Sequence, residues 1–248
     1  MKKSFFYWFI LLIVFVMEPT RSFSQEAFEA DSFRTAMGML TIHFIGHGTL
    51  MMQVDGKVIH VDPVMQEADY RQMPDADLVL VTHEHGDHLD VKALEHIVIG
   101  STQVIITRKC QQSYPKGIVL NNGDRMKIGN IEVEAVPAYN IVNKRPDGRP
   151  FHPRGEGNGY VIRFENFSVY VAGDTENVPE MKNLKNIDVA FLPMNLPYTM
   201  TADMVREAAL SFRPRILYPY HYGTTDTGEL IRRMEGEKGI EVRIRDLK

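Results

Sequence analysis

Short apolar runs separated by turn residues dominate the first half of the chain. Residues 41–45, 50–54 and 57–61 are rich in β-branched and apolar side chains and read as three strands. Asp55-Gly56 joins the last two with the residue pair that a tight hairpin turn favours. Residues 78–81 form an unbroken apolar run, the pattern of a buried strand. The period then changes: Val91, Leu94 and Val98 fall at helical spacing and predict a helix over 91–99, before 103–107 returns to strand. The second half has the same texture. Strands are expected over 125–128, 131–136, 160–164 and 168–172, with turns at Gly129-Asn130 and Glu165-Asn166. Strand 187–191 precedes a helix over 202–212, and strand 215–218 precedes one over 227–234. Two β-rich halves, each with helices, predict two sheets packed face to face with helices outside, an α/β architecture without an exact internal repeat. One long irregular stretch, 137–158, is rich in Pro, Gly and Arg, and a loop of that length in a compact domain is usually functional or disordered.

Ahead of this pattern, Lys2 and Lys3 precede an apolar run over 5–17 that is short for a bilayer span of about 20 residues. It reads as a secretory signal peptide over 1–24, with small residues Ser22 and Ser24 before the expected cleavage point. An uncleaved anchor is the alternative. The organisation expected is therefore a signal segment, a lead-in over 25–40 and a single domain over 41–248, periplasmic or secreted and without stable membrane insertion after cleavage. Removing 1–24 takes the formal charge from −4 to about −6. An acidic domain is poorly suited to nucleic acid, whose binding rests on Lys and Arg contacts to phosphates, so a small-molecule substrate is the expected partner. The lone Cys110 can form no internal disulfide and reads as a small buried side chain.

Candidate chemistry concentrates in Thr82-His83-Glu84-His85-Gly86-Asp87-His88-Leu89-Asp90. Neutral imidazoles and carboxylates are the ligands of zinc and neighbouring transition metals. In an extended segment leaving a strand, His83 and His85 point to one side and can meet one metal. Gly86 then allows a turn that brings Asp87 and His88 toward a second. Asp174 and His221 each follow an expected strand, where side chains emerge at a sheet end. His43, His60 and His96 lie within expected secondary structure and are not read as ligands.

This motif after a buried strand resembles the metallo-β-lactamase superfamily. Phe44-Ile45-Gly46-His47-Gly48-Thr49, His60-Val61-Asp62-Pro63, Ala172-Gly173-Asp174-Thr175 and Tyr220-His221-Tyr222-Gly223 extend the likeness across 41–248. They resemble the branch that contains L-ascorbate-6-phosphate lactonase, related metal-dependent hydrolases and, more distantly, N-acyl-phosphatidylethanolamine phospholipase D. The resemblance implies a four-layer αβ/βα sandwich with a dinuclear site at one sheet edge, holding two divalent ions, zinc or alternatively manganese. It assigns His83, His85 and His152 to the first metal, Asp87, His88 and His221 to the second, and Asp174 as the bridge. It further implies a bridging hydroxide that cleaves a lactone, ester or phosphodiester, with Asp87 as the catalytic carboxylate that orients the nucleophile and accepts its proton. Asp62 is a candidate outer carboxylate that fixes a histidine tautomer. His47 is left between contact with Asp87, a role as acid near the leaving group, and a structural hydrogen bond. In one related group the third ligand of the first metal aligns with Asn140, a weak zinc ligand, and His152 is expected to take its place by folding back from the long loop. Arg145, Arg149 and Arg154 of that loop are either contacts for an anionic substrate or solvated residues. The competing reading is a non-catalytic or redox metal-binding protein on the same fold.

Overall fold

The computed structural model describes residues 28–248, so the expected signal segment lies outside the described residues. Strands β1 (Ala30–Thr35), β2 (Gly38–Gly46), β3 (Thr49–Val54), β4 (Lys57–Val61), β5 (Leu78–Leu80), β6 (Gln103–Ile106) and β7 (Ile118–Val119) form one seven-stranded sheet in chain order. Helix α1 (Val91–Ile97) crosses between β5 and β6. The second sheet is also seven-stranded and in chain order: β8 (Arg125–Ile128), β9 (Ile131–Ala138), β10 (Gly157–Phe164), β11 (Phe167–Val171), β12 (Val189–Pro193), β13 (Ile216–Tyr220) and β14 (Glu241–Val242). Helices α2 (Ala202–Phe212) and α3 (Thr227–Met234) supply two of its three parallel crossovers. In each sheet the first four strands pair antiparallel through hairpins and the remainder pair parallel. The halves thus repeat an arrangement that their sequences do not visibly repeat.

Local chemistry explains the hairpins. Asp55 (φ 49°) and Gly56 (φ 70°) both occupy the left-handed region that a two-residue turn demands, and they set Val54 opposite Lys57. The alternation along β2 and β3 divides their side chains between two cores. Leu40, Ile42, Phe44, Leu50 and Met52 face the second sheet and join Val133, Ile162, Phe164, Val169 and Phe191. Ile45 and Met51 face the other way, with Val79, Val81, Leu94, Ile97 and Cys110 beneath α1. Cys110 is buried there and accepts a hydrogen bond from the Thr107 hydroxyl at 3.3 Å, the small packed side chain expected.

Three strands lie outside the sequence expectation. β1 falls within the stretch read as a lead-in; it is a half-exposed edge strand whose Phe33 stacks on Phe167 at 5.3 Å. β7 and β14 have two residues each, too short to show a period.

His60 sits on the outer face of β4, fully buried, with Nε2 3.1 Å from the Pro74 carbonyl and its ring 5.7 Å from Tyr70. Burial pushes its imidazole down to about 4, against the Pro74 hydrogen bond. In the unfolded chain the same group takes a proton near pH 6.5. The unfolded state therefore binds more protons between these values, and stability is lost as pH falls from about 6.5 toward about 4, by about 3 kcal/mol in all. Urea unfolding of chelator-treated protein at both pH values should show His60→Gln losing less stability than the wild type by about that amount. Equal losses would remove His60 as the cause.

Candidate metal centre

The centre forms where the two sheets meet at one end. β4 runs into Asp62, β5 into Thr82-His83, β11 into Gly173-Asp174, and β13 into His221. After β5 the chain turns tightly, with the His85 carbonyl accepting from the backbone N–H of His88 (3.0 Å) and Leu89 (2.8 Å). Asp90 then caps α1 by accepting from Lys92 N–H. The expectation that Gly86 makes this turn possible is not met: Gly86 is not in the left-handed region, and a Cβ there would meet nothing within 4 Å. Gly48 is the tighter constraint, since a Cβ there would lie 2.8 Å from the His88 ring. Three residues of the centre, His47 (φ 48°), Asp62 (φ 45°) and His221 (φ 49°), hold a left-handed backbone that costs energy outside glycine. The His221 N–H donates to the His47 carbonyl at 3.1 Å and ties the two halves together there.

Asp174 lies at the middle, buried, and its two oxygens face different partners. Oδ2 is 3.2 Å from His152 Nε2 and 4.0 Å from His83 Nε2, and His83 Nε2 is 3.1 Å from His85 Nδ1. Oδ1 is 3.5 Å from His88 Nε2 and 3.4 Å from His221 Nε2. Asp87 stands on that second side, its Oδ2 3.6 Å from His221 Nε2, 3.8 Å from His88 Nε2 and 3.4 Å from His47 Nε2. Three groups have ligand atoms close enough to share a cation: His83, His85 and His152; His83, His88 and Asp174; and His47, Asp87 and His221. The seven residues expected as ligands, His83, His85, Asp87, His88, His152, Asp174 and His221, thus fall in one cluster, and His47 enters it beside Asp87.

An outer layer fixes the imidazoles. Asp62, fully buried, accepts from the His88 Nδ1–H at 2.8 Å and from the Thr82 N–H and hydroxyl, each at 2.7 Å. The Asn140 side-chain oxygen accepts from both the backbone N–H (2.7 Å) and Nδ1 (2.8 Å) of His152. Its amide nitrogen donates to Glu176 and to the Tyr198 carbonyl, which settles which end faces His152. The Lys248 carbonyl accepts from His47 Nδ1 at 2.7 Å. Because these acceptors occupy Nδ1, each of the three rings turns Nε2 inward, the tautomer a metal ligand needs. Asn140 thus belongs to the centre as the partner of His152. Its position at an aligned ligand site was the one sequence signal for it. Nothing in the sequence marks Lys248, which is 201 residues from His47.

The charges are those of a cation site. Burial drives the His83 and His85 imidazoles below their usual range, with neighbouring histidines adding to the effect. Burial would raise the Asp174 carboxyl, yet the imidazoles of His221, His88, His152 and His83 pull it well below the usual carboxylate range. Asp87 is held low in the same way, against partial burial, by His221, His47 and His88. His88 is lifted to about 9 because Asp174, Asp62 and Asp87 outweigh its burial. The donor set fits a divalent metal on a second ground. Asp174 Oδ1, His88 Nε2 and His221 Nε2 are buried, point into the cluster and have no hydrogen-bond partner among the described residues. Such atoms cost about 1–3 kcal/mol each unless something else holds them.

The loop arginines are engaged elsewhere. Arg149 pairs with Asp147, Arg154 with Glu180, and Arg145 lies over the Phe151 ring at 5.1 Å. His43 bonds Gln53 within the first sheet, and neither it nor His60 joins the cluster.

A profile of the Beta-lactamase superfamily domain matches residues 41–221. The chain is 31% identical over 221 residues to a UPF0173 metal-dependent hydrolase of Methanopyrus kandleri, covering 83% of this chain and 95% of that one. A crystal structure named for a metal-dependent hydrolase of Parabacteroides distasonis is 50% identical, covers 90% of this chain and 100% of its own, and superposes with a TM-score of 0.85. The diiron β-hydroxylase CmlA of Streptomyces venezuelae, 17% identical, shares the fold alone, with a TM-score of 0.66 over 83% of this chain and 53% of its own. By sequence over most of its length and by a fold of two mixed sheets with helices outside, the chain belongs to the metallo-β-lactamase superfamily and to its UPF0173 metal-dependent hydrolases.

Proposed function

We propose that this metal-dependent hydrolase is an exported enzyme that holds two divalent ions, zinc or manganese, and cleaves a lactone, carboxylic ester or phosphodiester. The observation that carries the reading is the division of Asp174, one oxygen toward His83 and His152 and the other toward His88 and His221. His83, His85 and His152 would hold the first ion, Asp87, His88 and His221 the second, and Asp174 both. A donor set of imidazole nitrogen and carboxylate oxygen suits zinc and manganese alike. Bound ions of this kind act as Lewis acids toward a carbonyl or phosphoryl oxygen and make water acidic enough to attack at neutral pH.

The remaining work falls to the chain's own side chains. Asp87 is half-exposed, whereas Asp174 is buried, so Asp87 is the carboxylate that can meet a water and the substrate together. Held between His47 and His221, it orients the attacking water and accepts its proton. His47 positions Asp87 through Nε2 while the Lys248 carbonyl holds its other nitrogen. Lactone stands first among the bonds because the four sequence blocks around His47, Asp62, Asp174 and His221 resemble the lactonase branch. Export is supported by the Lys2-Lys3 start and the apolar run over 5–17. A redox role is less favoured: both histidines of the His83-His85 pair are present, and the CmlA likeness extends to the fold only.

The reading is tested by removing metal with a strong chelator, restoring Zn²⁺ or Mn²⁺, and screening lactones, esters and phosphodiesters. Hydrolysis should vanish and return, and chelation should also lower Tm because binding energy is folding energy. Full activity in protein shown to lack metal contradicts it.

Asp87→Asn keeps an oxygen but loses the charge and the proton acceptor, so kcat should fall about a hundredfold or more with a smaller change in KM. Turnover at the wild-type rate would remove Asp87 from the chemistry.

For the first ion, His152→Ala should lose most of one metal equivalent by elemental analysis. Asn140→Ala should keep the ligand but bind the ion about ten- to a hundredfold more weakly in chelator competition, the usual effect of losing a ligand's outer partner. A His152→Ala protein with full metal content would refute the assignment.

A further inference from the structure

Seven large hydrophobic side chains are well exposed among the described residues, and four of them crowd two loops beside the centre: Ile141, Val142, Leu196 and Tyr198. Their exposure, from 45% for Tyr198 to 66% for Val142, is imposed by the backbone beneath them. Glu176, fully buried and two residues beyond Asp174, accepts from the backbone N–H of Ile141 (2.8 Å), Val142 (2.8 Å) and Asn143 (2.6 Å). With those donors turned inward, the loop is pinned. Asn143 ties it to the second loop through the Thr199 carbonyl at 2.8 Å. The second loop in turn lies against Gly223, where a Cβ would come 3.3 Å from the Asn195 side chain, just beyond His221.

The exposed rim is continuous with the centre. Asn140 joins them, accepting from His152 Nδ1 at 2.8 Å while donating to the Tyr198 carbonyl at 2.8 Å. Phe151 joins them again, since it lines the same small cavity as His83, His85 and Asp174 and meets the Tyr198 ring edge to face at 5.1 Å. A fixed apolar surface that opens directly from a polar reaction centre has the form of a subsite for the apolar part of a substrate. Resting on the hydrolase reading above, we propose that Ile141, Val142, Phe151, Leu196 and Tyr198 receive an uncharged acyl or alkyl arm of the substrate, carried next to the bond that is cleaved.

Alkyl hydroxamates test this, because the hydroxamate grips the metals while the tail samples the rim. Titration calorimetry of metal-loaded protein with acetohydroxamate, butyrohydroxamate and octanohydroxamate should show affinity rising about twofold or more per methylene. The double variant Val142→Ser, Leu196→Ser should flatten the rise. Ile231→Ser, equally exposed but on α3, should leave it steep. A flat series in the wild type with measurable acetohydroxamate binding overturns the subsite and leaves the metal reading standing. Protein that takes up no metal on loading overturns the metal reading and the subsite with it, and failure of all three hydroxamates to bind metal-loaded protein overturns the subsite alone. A dimer in light scattering that the double variant dissociates, together with a flat series, would make the rim an interface between copies and overturn the proposal.

Discussion

A buried carboxylate among four imidazoles sets the terms for the rest of this protein. Asp174 cannot be ionised at that depth without compensation, because desolvation of a lone carboxylate costs several kcal/mol. His83, His88, His152 and His221 supply the compensation, and they come from four places in the chain: the end of β5, the turn before α1, the long loop and the end of β13. Holding those rings on one carboxylate requires both sheets to end at the same point. The hydrophobic interface between the sheets, from Leu40 and Ile42 to Phe164 and Phe191, keeps them there.

Precision comes from the layer behind the rings. Asp62, Asn140 and the Lys248 carbonyl each occupy one imidazole nitrogen and leave the other for the centre. Two of these partners are carried by irregular backbone, which explains how a long loop and the final residues of the chain belong to a site built on strand ends. The left-handed conformations at His47, Asp62 and His221 are the local cost of aiming those groups, and they persist because sheet packing and the His221-to-His47 hydrogen bond leave the backbone no alternative.

Much of this was legible in the sequence for physical reasons that can be named. Hairpins announced themselves through Asp55-Gly56 and Gly129-Asn130, and the helices expected over 202–212 and 227–234 are α2 and α3, where the structure adds the Thr201 and Asp226 caps that accept at the two starts. The His83 to His88 motif pointed to the core of the cluster because its residues are local in sequence. What stayed hidden was non-local or too short to have a period. β1 looks polar because one face of an edge strand is solvated, and its partner β2 is what makes it a strand. Asn140 and Glu176 carry no motif; their roles exist only once the loop over 139–156 has folded back on the turn that carries Asp174. Gly86 shows the opposite error, a glycine in a suggestive place whose conformation any residue could adopt.

Under the proposed function Asp174 is shared between two ions, one on each of its oxygens. Crystals grown with Zn²⁺ and measured on both sides of the zinc absorption edge test it directly. Two anomalous peaks about 3.5–4 Å apart are expected, one enclosed by His83, His85, His152 and Asp174 and the other by Asp87, His88, His221 and Asp174. A single peak, or two peaks of which one has no contact with Asp174, would contradict it.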